Sequence, residues 1–235
     1  MHVPLGWLRD AIRRLGYEVV PSPLSRLLRH HPPTVILDVG ANEGQFGLSV
    51  RKAGFAGRIV SFEPIASVFA RLEAIAASDA AWEVHHTGLG DRDRAETLHV
   101  ASNTASSSLL APGAALHEHA SFIEFGDTEE VNVARLDSLF SDLVRPDDVV
   151  TLKVDTQGYE QAVLNGAESV LDRIDTVLLE LSWVPLYDEE PPAETIIAWM
   201  RERGFVPAYF APAFAEEGTR RWLQSDVLFV RGDRA

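Results

Sequence analysis

Residues 35–44 read VILDVGANEG, and this run strongly limits how the chain can fold. Three apolar residues lead into Asp38, then a glycine turn, then an amphipathic pattern. This order is typical of a buried parallel strand that ends in a tight turn and opens a helix. Gly40 and Gly44 remove side chains where a ligand has to approach the backbone. The helix-start N–H groups at residues 43–45 are expected to face a polar end of that ligand.

A second predicted strand, residues 58–62, ends in Glu63, about 20 residues after the turn, where a carboxylate is placed to accept hydrogen bonds from ribose hydroxyls. The patterns of a dinucleotide fold and of a phosphate loop are both absent. S-adenosylmethionine is the best remaining ribose-bearing ligand, because its zwitterionic end suits Asp38 beside backbone amides.

Strand patterns alternate with helical patterns along most of the chain, which predicts an α/β, doubly wound sheet. Strands are predicted over residues 34–39, 58–62, 82–86, 96–101, 129–135, 149–154, 176–181, 205–210 and 226–230. Helices are predicted over residues 44–53, 64–77, 136–143, 159–171 and 194–203. Pro207 makes its strand an edge strand. The long irregular segment 102–127 is expected to be a functional or mobile loop over the acceptor side. A helical extension, residues 1–33 with helices at 4–17 and 25–29, precedes the main domain, residues 34–235.

Six motifs follow one another over residues 34–182. They are DVGANEGQFG from residue 38, SFEP from 61, LGD from 89, RLDSLF from 135, KVDTQGYE from 153 and LLELS from 178. Together they resemble the FkbM family of S-adenosylmethionine-dependent methyltransferases. The resemblance implies a class I, Rossmann-like methyltransferase with a seven-stranded sheet that acts on a hydroxyl of a sugar or secondary metabolite. One position departs from the family, which usually carries an acidic residue where this chain has Gln157.

The residues at the strand ends are the candidates for binding the cofactor, because ligands of such sheets lie beyond the carboxyl ends of the strands. Asp91 belongs to the LGD element, and its carboxylate is expected to accept from the adenine amino group; a plain turn aspartate is the alternative. The expected cofactor-binding residues are Asp38, Gly40, Asn42, Gly44, Glu63 and Asp91.

Methyl transfer to an alcohol needs a base or a metal ion, since an alcohol is a poor nucleophile near neutral pH. Asp155 and Glu180 stand at or near the ends of predicted strands and are the catalytic candidates. With Glu160 they form a candidate Mg²⁺ site. Without a metal ion, Asp155 or His86 would be the base. Carboxylates that only cap loops or a helix start are the alternative interpretation.

Residues 102–110, SNTASSSLL, form the expected acceptor-side loop, in which Asn103, Ser106 and Ser107 offer hydrogen bonds to sugar hydroxyls. Trp183 and Tyr187 follow a predicted strand and could form an aromatic floor for a sugar ring. The alternatives are a solvated loop and aromatic side chains buried by packing.

The charge of the chain bears on its partners. Its 235 residues carry a net charge of −14, which disfavours a nucleic-acid substrate because phosphates need a basic surface. No apolar run approaches the ~20 residues that cross a bilayer, and charges interrupt any signal-peptide core. There is no cysteine. We expect a cytoplasmic protein, and base rates alone suggest an isologous homodimer.

The sequence therefore predicts a cytoplasmic S-adenosylmethionine-dependent O-methyltransferase for a sugar or glycosylated metabolite, with or without Mg²⁺. Two alternatives stay open. One is a methyltransferase for a lipid hydroxyl, a polyketide hydroxyl or an amine. The other is a module that binds the cofactor without catalysis.

Overall fold

A computed structural model describes residues 14–15, 21–216 and 218–232. Its strands are β1 (Val35–Val39), β2 (Arg58–Phe62), β3 (Trp82–His85), β4 (Gly88–Leu89), β5 (Arg94–Ala101), β6 (Phe125–Ala134), β7 (Val150–Val154), β8 (Thr176–Ser182), β9 (Phe205–Pro212) and β10 (Gln224–Arg231). Its helices are α1 (Pro23–His30), α2 (Gln45–Lys52), α3 (Ala66–Ala76), α4 (Ala114–His119), α5 (Leu136–Leu143), α6 (Glu160–Asn165) and α7 (Ala193–Glu202). Short 3₁₀ turns cover Thr104–Ser106 and Glu168–Arg173. In this part of the chain, no helix is both long and apolar enough to cross a membrane.

Seven strands form the main sheet, in the order β3-β2-β1-β7-β8-β10-β9. The first five of these run parallel, and β10 runs antiparallel to both β8 and β9. The chain winds outward in one direction from β1 to β3 and in the other direction from β7. The predicted doubly wound, seven-stranded sheet is therefore confirmed, and its switch point lies at the β1–β7 crevice, where such sheets bind ligands.

Side chains alternate across the two faces of the central strands, as the two-residue period of a strand requires. In β1, Val35, Leu37 and Val39 pack with helices α5, α6 and α7 on one face. Ile36 packs with α2 and α3 on the other face. All five residues of β1 are buried, which explains why this strand reads as a continuous apolar run.

A second sheet of three strands, in the order β4-β6-β5, stands beside the first. Strands β5 and β6 form an antiparallel hairpin, and β4 runs parallel to β6. Val131 and Val133 of this sheet pack with Ile65, which precedes α3. The strands predicted at residues 96–101 and 129–135 are confirmed but are longer, and the segment 102–127 contains α4 and the start of β6. Only part of that segment is therefore irregular.

Helix α1 is the described part of the N-terminal extension, and it confirms the helix predicted at residues 25–29. The Ser22 side chain caps its start by accepting a hydrogen bond from the Ser25 amide. Leu27 is fully buried against Leu178 of β8 and Leu228 of β10. Helix α1 thus packs on one face of the sheet. The helix predicted at residues 4–17 lies outside the described residues, apart from positions 14 and 15.

Candidate active site

A cavity of about 580 Å³ opens at the carboxyl-end edge of the main sheet. Strands β2, β1, β7 and β8 end along it, and α1, α2 and the segment around Thr104 close its sides. Its polar lining includes four carboxylates and one amine, contributed by Glu63, Asp155, Glu180, Asp226 and Lys153. The cavity therefore suits a ligand with net positive charge.

The glycine turn lies at the middle of this edge, and Gly40 is held tightly in it. Gly40 has a φ of +72°, and a Cβ built on it would lie 1.9 Å from the carbonyl oxygen of Asp155. The amides of Gly40 and Ala41 both donate to the carbonyl oxygen of Phe62. The turn therefore locks β1 against β2 and against the loop that follows β7, with the backbone of the turn on the cavity wall.

The amides of the turn were expected to face the ligand, but they already have partners. The Asn42 amide donates to Glu63 Oε2 at 2.9 Å, and the Glu43 amide donates to Asn42 Oδ1 at 2.7 Å. The Gly44 amide donates to the carbonyl oxygen of Ala41 at 2.9 Å. Of the three residues 43–45 expected to face a ligand, Glu43 and Gly44 therefore use their N–H groups to close the turn, whereas Gln45 lines the cavity.

Gly44 does not approach a ligand either. A Cβ on Gly44 would lie 3.0 Å from Leu72 and 3.1 Å from the Trp82 ring, and Gly44 has a φ of +84°. Packing of α2 against the Trp82 indole, rather than space for a ligand, therefore accounts for glycine at this position.

Asp38 lies behind the cavity wall, not on it. Its side chain is fully buried; Oδ1 lies 3.1 Å from Lys153 Nζ, and Oδ2 accepts a hydrogen bond from Ser61 Oγ. Lys153 also donates to the carbonyl oxygen of Gly40 at 2.9 Å. The expected direct contact of Asp38 with the cofactor is thus replaced by an indirect role, in which Asp38 and Lys153 support the turn from below.

Glu63 lies on the cavity wall at the end of β2, as predicted. Its Oε1 accepts from the Ile65 amide at 2.8 Å, while its Oε2 accepts from the Asn42 amide. Burial raises the pKa of Glu63 to about 7, although the two amide donors favour its charged form. Asn42 also lines the cavity, and Thr104 Oγ1 donates to its Oδ1 at 3.3 Å.

An acidic wall formed by Asp155, Glu180 and Asp226 lies on the other side of the turn. Asp155 follows β7, and Glu180 and Asp226 are directly paired residues on β8 and β10. Gln157 joins the first two, because its Nε2 donates to Asp155 Oδ1 at 2.9 Å and to Glu180 Oε2 at 2.7 Å. The predicted catalytic carboxylates therefore meet at one place on the cavity wall.

The charges on this wall influence one another. Burial raises the pKa of Glu180 well above its ordinary value, and the negative charge of Asp155 raises it further. Burial and then Asp155 also raise the pKa of Asp226, to about 6. Burial disfavours the charged form of Lys153, yet Asp38 and Asp155 outweigh that effect and raise its pKa. The wall thus holds carboxyl groups that bind protons tightly beside a lysine that stays charged.

The predicted Mg²⁺ site of Asp155, Glu180 and Glu160 is not assembled. Glu160 Oε1 accepts from the amide and the hydroxyl of Thr156, at 2.8 and 3.1 Å. The amide of Gln157, an N–H donor, lies between the other two carboxylates, where a cation would need oxygen ligands. Among the residues described here, no three His, Asp or Glu side chains are grouped to hold a metal ion. The donor set as folded does not fit a divalent cation.

The predicted acceptor loop borders the cavity, but most of the loop residues that line the cavity are not the predicted ones. Thr104, Ala105, Ser107 and Ser108 line the cavity, so of the predicted residues only Ser107 is on the wall. The Asn103 side chain instead caps the 3₁₀ turn by accepting from the Ser106 amide. Ser106 contributes its carbonyl oxygen to the Tyr187 hydroxyl at 2.8 Å.

Four further predicted site residues lie off the cavity wall. His86 is exposed, stacks on Phe69 and contacts the carbonyl oxygen of Pro64, so it is not placed to be the base. Asp91 lies beyond Leu89, which does reach the cavity. Trp183 donates to Ser225 and stacks on Phe210, away from the wall, while Tyr187 is buried behind Gln157.

Three residues that the sequence argument missed are on the wall. Asp226 was missed because the candidates were taken from the carboxyl ends of the strands. Strand β10 is antiparallel, so the residues at its amino end reach the cavity. Tyr159 closes the β2 side, and its hydroxyl donates to Glu96 Oε1 at 2.9 Å. Lys153, the third, is the last residue but one of β7 and also lines the cavity. The pairing of Asp226 with Glu180 could have been found by aligning β10 antiparallel to the carboxyl end of β8, where Glu180 lies.

The strand order with a reversed β10, together with the cavity at the β1–β7 crevice, is that of the class I, Rossmann-like methyltransferase fold. The family model described as the methyltransferase FkbM domain matches residues 38–207. The chain therefore belongs to the FkbM methyltransferase family, and the resemblance noted from its motifs is confirmed. Family and fold together imply that it binds S-adenosylmethionine.

Two curated relatives are similar to this chain. Methyltransferase 1 of Beauveria bassiana is 24% identical over 222 residues, which are 88% of this chain and 83% of that protein. The AMB antimetabolite synthetase AmbE of Pseudomonas aeruginosa is 44% identical over 68 residues, which are 28% of this chain. The matched region is only 3% of that synthetase, so this chain corresponds to a small part of its length.

Two solved structures illustrate the likeness of fold. An rRNA methylase from Streptococcus thermophilus has a TM-score of 0.46 and 11% identity, covering 91% of this chain and 98% of that chain. The ribosomal protein L11 methylase from Lactobacillus delbrueckii subsp. bulgaricus has a TM-score of 0.44 and 11% identity, covering 95% of this chain and 79% of that chain. Both likenesses are loose.

Proposed function

We propose that this chain is an S-adenosylmethionine-dependent O-methyltransferase whose acceptor is a hydroxyl of a sugar or of a glycosylated metabolite. One observation carries the proposal. Asp155 and Glu180 meet on the cavity wall beside the Gly40 turn, within hydrogen-bond reach of the same amide. This puts a candidate base where a doubly wound sheet binds its ligand.

In this proposal the cofactor lies across the edge of the sheet. Its ribose hydroxyls donate to Glu63, and its adenine ring lies among the apolar side chains of Ile65, Leu89 and Leu98, all of which line the cavity. Its sulfonium centre then lies near Gly40 and Asp155. The four carboxylates of the lining support this placement, because the cofactor carries a net positive charge.

The chemistry is an in-line displacement at the methyl carbon. The acceptor oxygen attacks that carbon as the bond from carbon to sulfur breaks, and S-adenosylhomocysteine leaves with a neutral sulfur. Asp155, whose side chain is 39% exposed, takes the hydroxyl proton as the general base. Glu180 lies beside Asp155 and shares the Gln157 amide with it, which fixes the direction in which Asp155 faces the acceptor. No divalent cation takes part, since the donor set does not fit one.

A sugar acceptor is supported by the polar rim around the cavity. Thr104 and Ser107 line it from the segment that follows β5, and Ser22 and Ser49 line it from the N-terminal side. Hydroxyl side chains pair readily with the hydroxyl groups of a saccharide. The apolar portion of the wall, from Leu24, Phe46 and Leu178, suits the less polar face of a sugar ring.

The test is to measure S-adenosylhomocysteine formation with panels of saccharides, glycosides, lipid alcohols and amines, with and without EDTA. We expect turnover on a saccharide or glycoside that EDTA leaves intact, with the added methyl group on oxygen by mass spectrometry and NMR. Turnover confined to lipid alcohols or amines would contradict the proposed acceptor. Binding of S-adenosylhomocysteine with no turnover in any panel would instead favour a non-catalytic module.

Two further expectations belong to this proposal. A cytoplasmic location and an isologous homodimer follow from the sequence argument and stay predictions. Cell fractionation and light scattering of the purified full chain are the measurements that check them.

A further inference from the structure

Gln157 occupies the centre of the acidic wall in an unusual backbone conformation. Its φ is +55°, and that of the following Gly158 is +94°. Two successive residues with positive φ fold the loop after β7 back on itself, which brings the Gln157 side chain over Asp155. A non-glycine residue held at positive φ costs free energy, so the surroundings must fix it.

The contacts of Gln157 fix which end of its amide faces the acids. Nε2 has two hydrogens, and it meets one oxygen of Asp155 and one of Glu180. The Tyr187 hydroxyl shares its hydrogen between Gln157 Oε1, at 3.2 Å, and the carbonyl oxygen of Ser106. The opposite orientation would set the amide oxygen against Asp155 Oδ1 and deprive that carboxylate of its N–H donor. The contacts therefore define the amide orientation.

The backbone of Gln157 is held as well. Ser108 Oγ donates to its carbonyl oxygen at 2.7 Å, and Ser108 is buried. The residue is thus tied to the segment after β5 through its backbone and through Tyr187. Its side chain cannot leave the acidic wall without breaking contacts on both sides.

We propose that the Gln157 amide takes the place of a metal ion, holding Asp155 and Glu180 in the geometry needed for methyl transfer without a cation. Gln157 is therefore a positioning residue, because it acts through the carboxylates and not on the reacting atoms. This inference rests on the proposed function for its effect on turnover, but its effect on cation binding is independent of that function.

None of the other charged groups described around Asp155 and Glu180 holds these two carboxyl groups together. Lys153 of β7 lies 3.8 Å from Asp155 Oδ2, but it is engaged by Asp38 and the Gly40 carbonyl oxygen. Asp226 of β10 and Glu160 of α6 are acidic and add repulsion. The amide contributes two donors and no charge, so it links the two acids without binding either as an ion pair.

The experiment compares the wild type with Gln157→Glu and Gln157→Met. Mn²⁺ alone is the probe, and calorimetry and electron paramagnetic resonance measure its binding. We expect no Mn²⁺ site on this wall in the wild type and a new one in Gln157→Glu, where an oxygen replaces Nε2 and three carboxylates meet. Adding Asp155→Asn to Gln157→Glu should abolish that site. This part needs no acceptor.

Kinetics test the positioning itself. Gln157→Met keeps the length of the side chain but has no donor. We expect it to lower kcat by ~10- to 100-fold, the usual cost of a misplaced catalytic group, while the affinity for S-adenosylhomocysteine stays within about twofold. Gln161→Met is the matched control, since the Gln161 amide bonds only to Asn165 on the same helix. Unfolding midpoints verify that the variants fold. If Gln157→Met does not fold, Gln157→Asn is the second variant, because asparagine tolerates positive φ.

Three results would overturn the inference. They are a wild-type Mn²⁺ site that Asp155→Asn removes, the absence of any Mn²⁺ site in Gln157→Glu, and a wild-type kcat in Gln157→Met. If no acceptor is turned over at all, the proposed function fails, while the Mn²⁺ result still decides the role of the amide.

Discussion

Gly40 shows most directly how one residue shapes the site. Its φ of +72° is one that side chains rarely allow, and the Asp155 carbonyl oxygen fills the space where a Cβ would be. The contact joins the turn after β1 to the loop after β7, so the cavity wall depends on both strands ending together. Close approach of two backbones, and not only that of a ligand, therefore requires glycine here.

We predict that Gly40→Ala costs at least about 3 kcal/mol of unfolding free energy, because strain at positive φ adds to a clash with fixed backbone. Gly54→Ala is the matched control, since Gly54 also has a positive φ but has no atom within 4 Å of an added Cβ. Its cost should be near ~1 kcal/mol. Urea unfolding measures both. Equal costs for the two variants would mean that the contact with Asp155 contributes nothing.

At the residue scale, the sequence predicted where the strands end better than it predicted which side chains reach the cavity. Glu63, Asp155 and Glu180 lie on the cavity wall because each follows or ends a parallel strand whose position was predicted. His86 and Asp91 do not, because the chain turns into a second sheet immediately after β3. No sequence pattern reports how a short strand such as β4 redirects the chain. The amide partners of the glycine turn were likewise invisible, since they come from distant residues.

At the scale of elements, β1 and β7 are joined by more than their backbone ladder. Lys153 of β7 and Asp38 of β1 form a buried ion pair, and Lys153 also donates to the carbonyl oxygens of Val39 and Gly40. Two neighbouring parallel strands are thus fastened at the edge where the cavity opens. The ion pair fixes the position of the glycine turn relative to the carboxyl end of β7.

We predict that Lys153→Met costs about 3–5 kcal/mol of unfolding free energy, because it leaves the Asp38 carboxylate buried without a cation, with the Ser61 hydroxyl as its remaining donor. The double variant Lys153→Met with Asp38→Asn should recover more than half of that loss. Arg71→Met is the control, because it breaks an exposed ion pair with Glu43 and should cost less than about 1 kcal/mol. Urea unfolding compares the three, and no recovery in the double variant would contradict the proposed link.

The elements themselves were largely predictable, since their apolar patterns are strong. Strand β2 has the predicted bounds, and Pro207 lies on β9, at the edge of the sheet as expected. The helix predicted over residues 159–171 is instead divided into α6 and a 3₁₀ turn. The carbonyl oxygen of Gly166 accepts from the Asp137 amide of α5, a tertiary contact that the local pattern does not contain.

At the scale of the whole molecule, burial of acids is the dominant electrostatic feature. Burial is the largest cause that raises the pKa of Asp226 to about 6, of Glu63 to about 7 and of Glu160 to about 8. A carboxyl whose pKa is raised on folding keeps its proton in the folded state after the unfolded chain has lost it. The folded state therefore loses stability as pH rises from the ordinary carboxyl range toward these values.

We predict that the unfolding free energy falls between pH 5 and pH 8 and that Glu160→Gln makes this fall shallower. Glu160 has an ordinary pKa of 4.5 and a folded pKa of about 8, so it contributes up to about 1.4 kcal/mol per pH unit in that window. Glu73→Gln, at an exposed position on α3, is the control and should not change the slope. A slope that Glu160→Gln leaves unchanged would contradict the role of this buried acid.

We propose that Asp155 takes the acceptor proton, while the cofactor is held by other residues of the same cavity. The measurement that tests it most directly compares the wild type with Asp155→Asn, using one accepted saccharide and titrating S-adenosylhomocysteine into the same samples. Loss of a general base costs about 10²–10⁴-fold in rate, so we predict at least a 100-fold lower kcat with cofactor affinity nearly unchanged. Turnover by Asp155→Asn at the wild-type rate would contradict the claim.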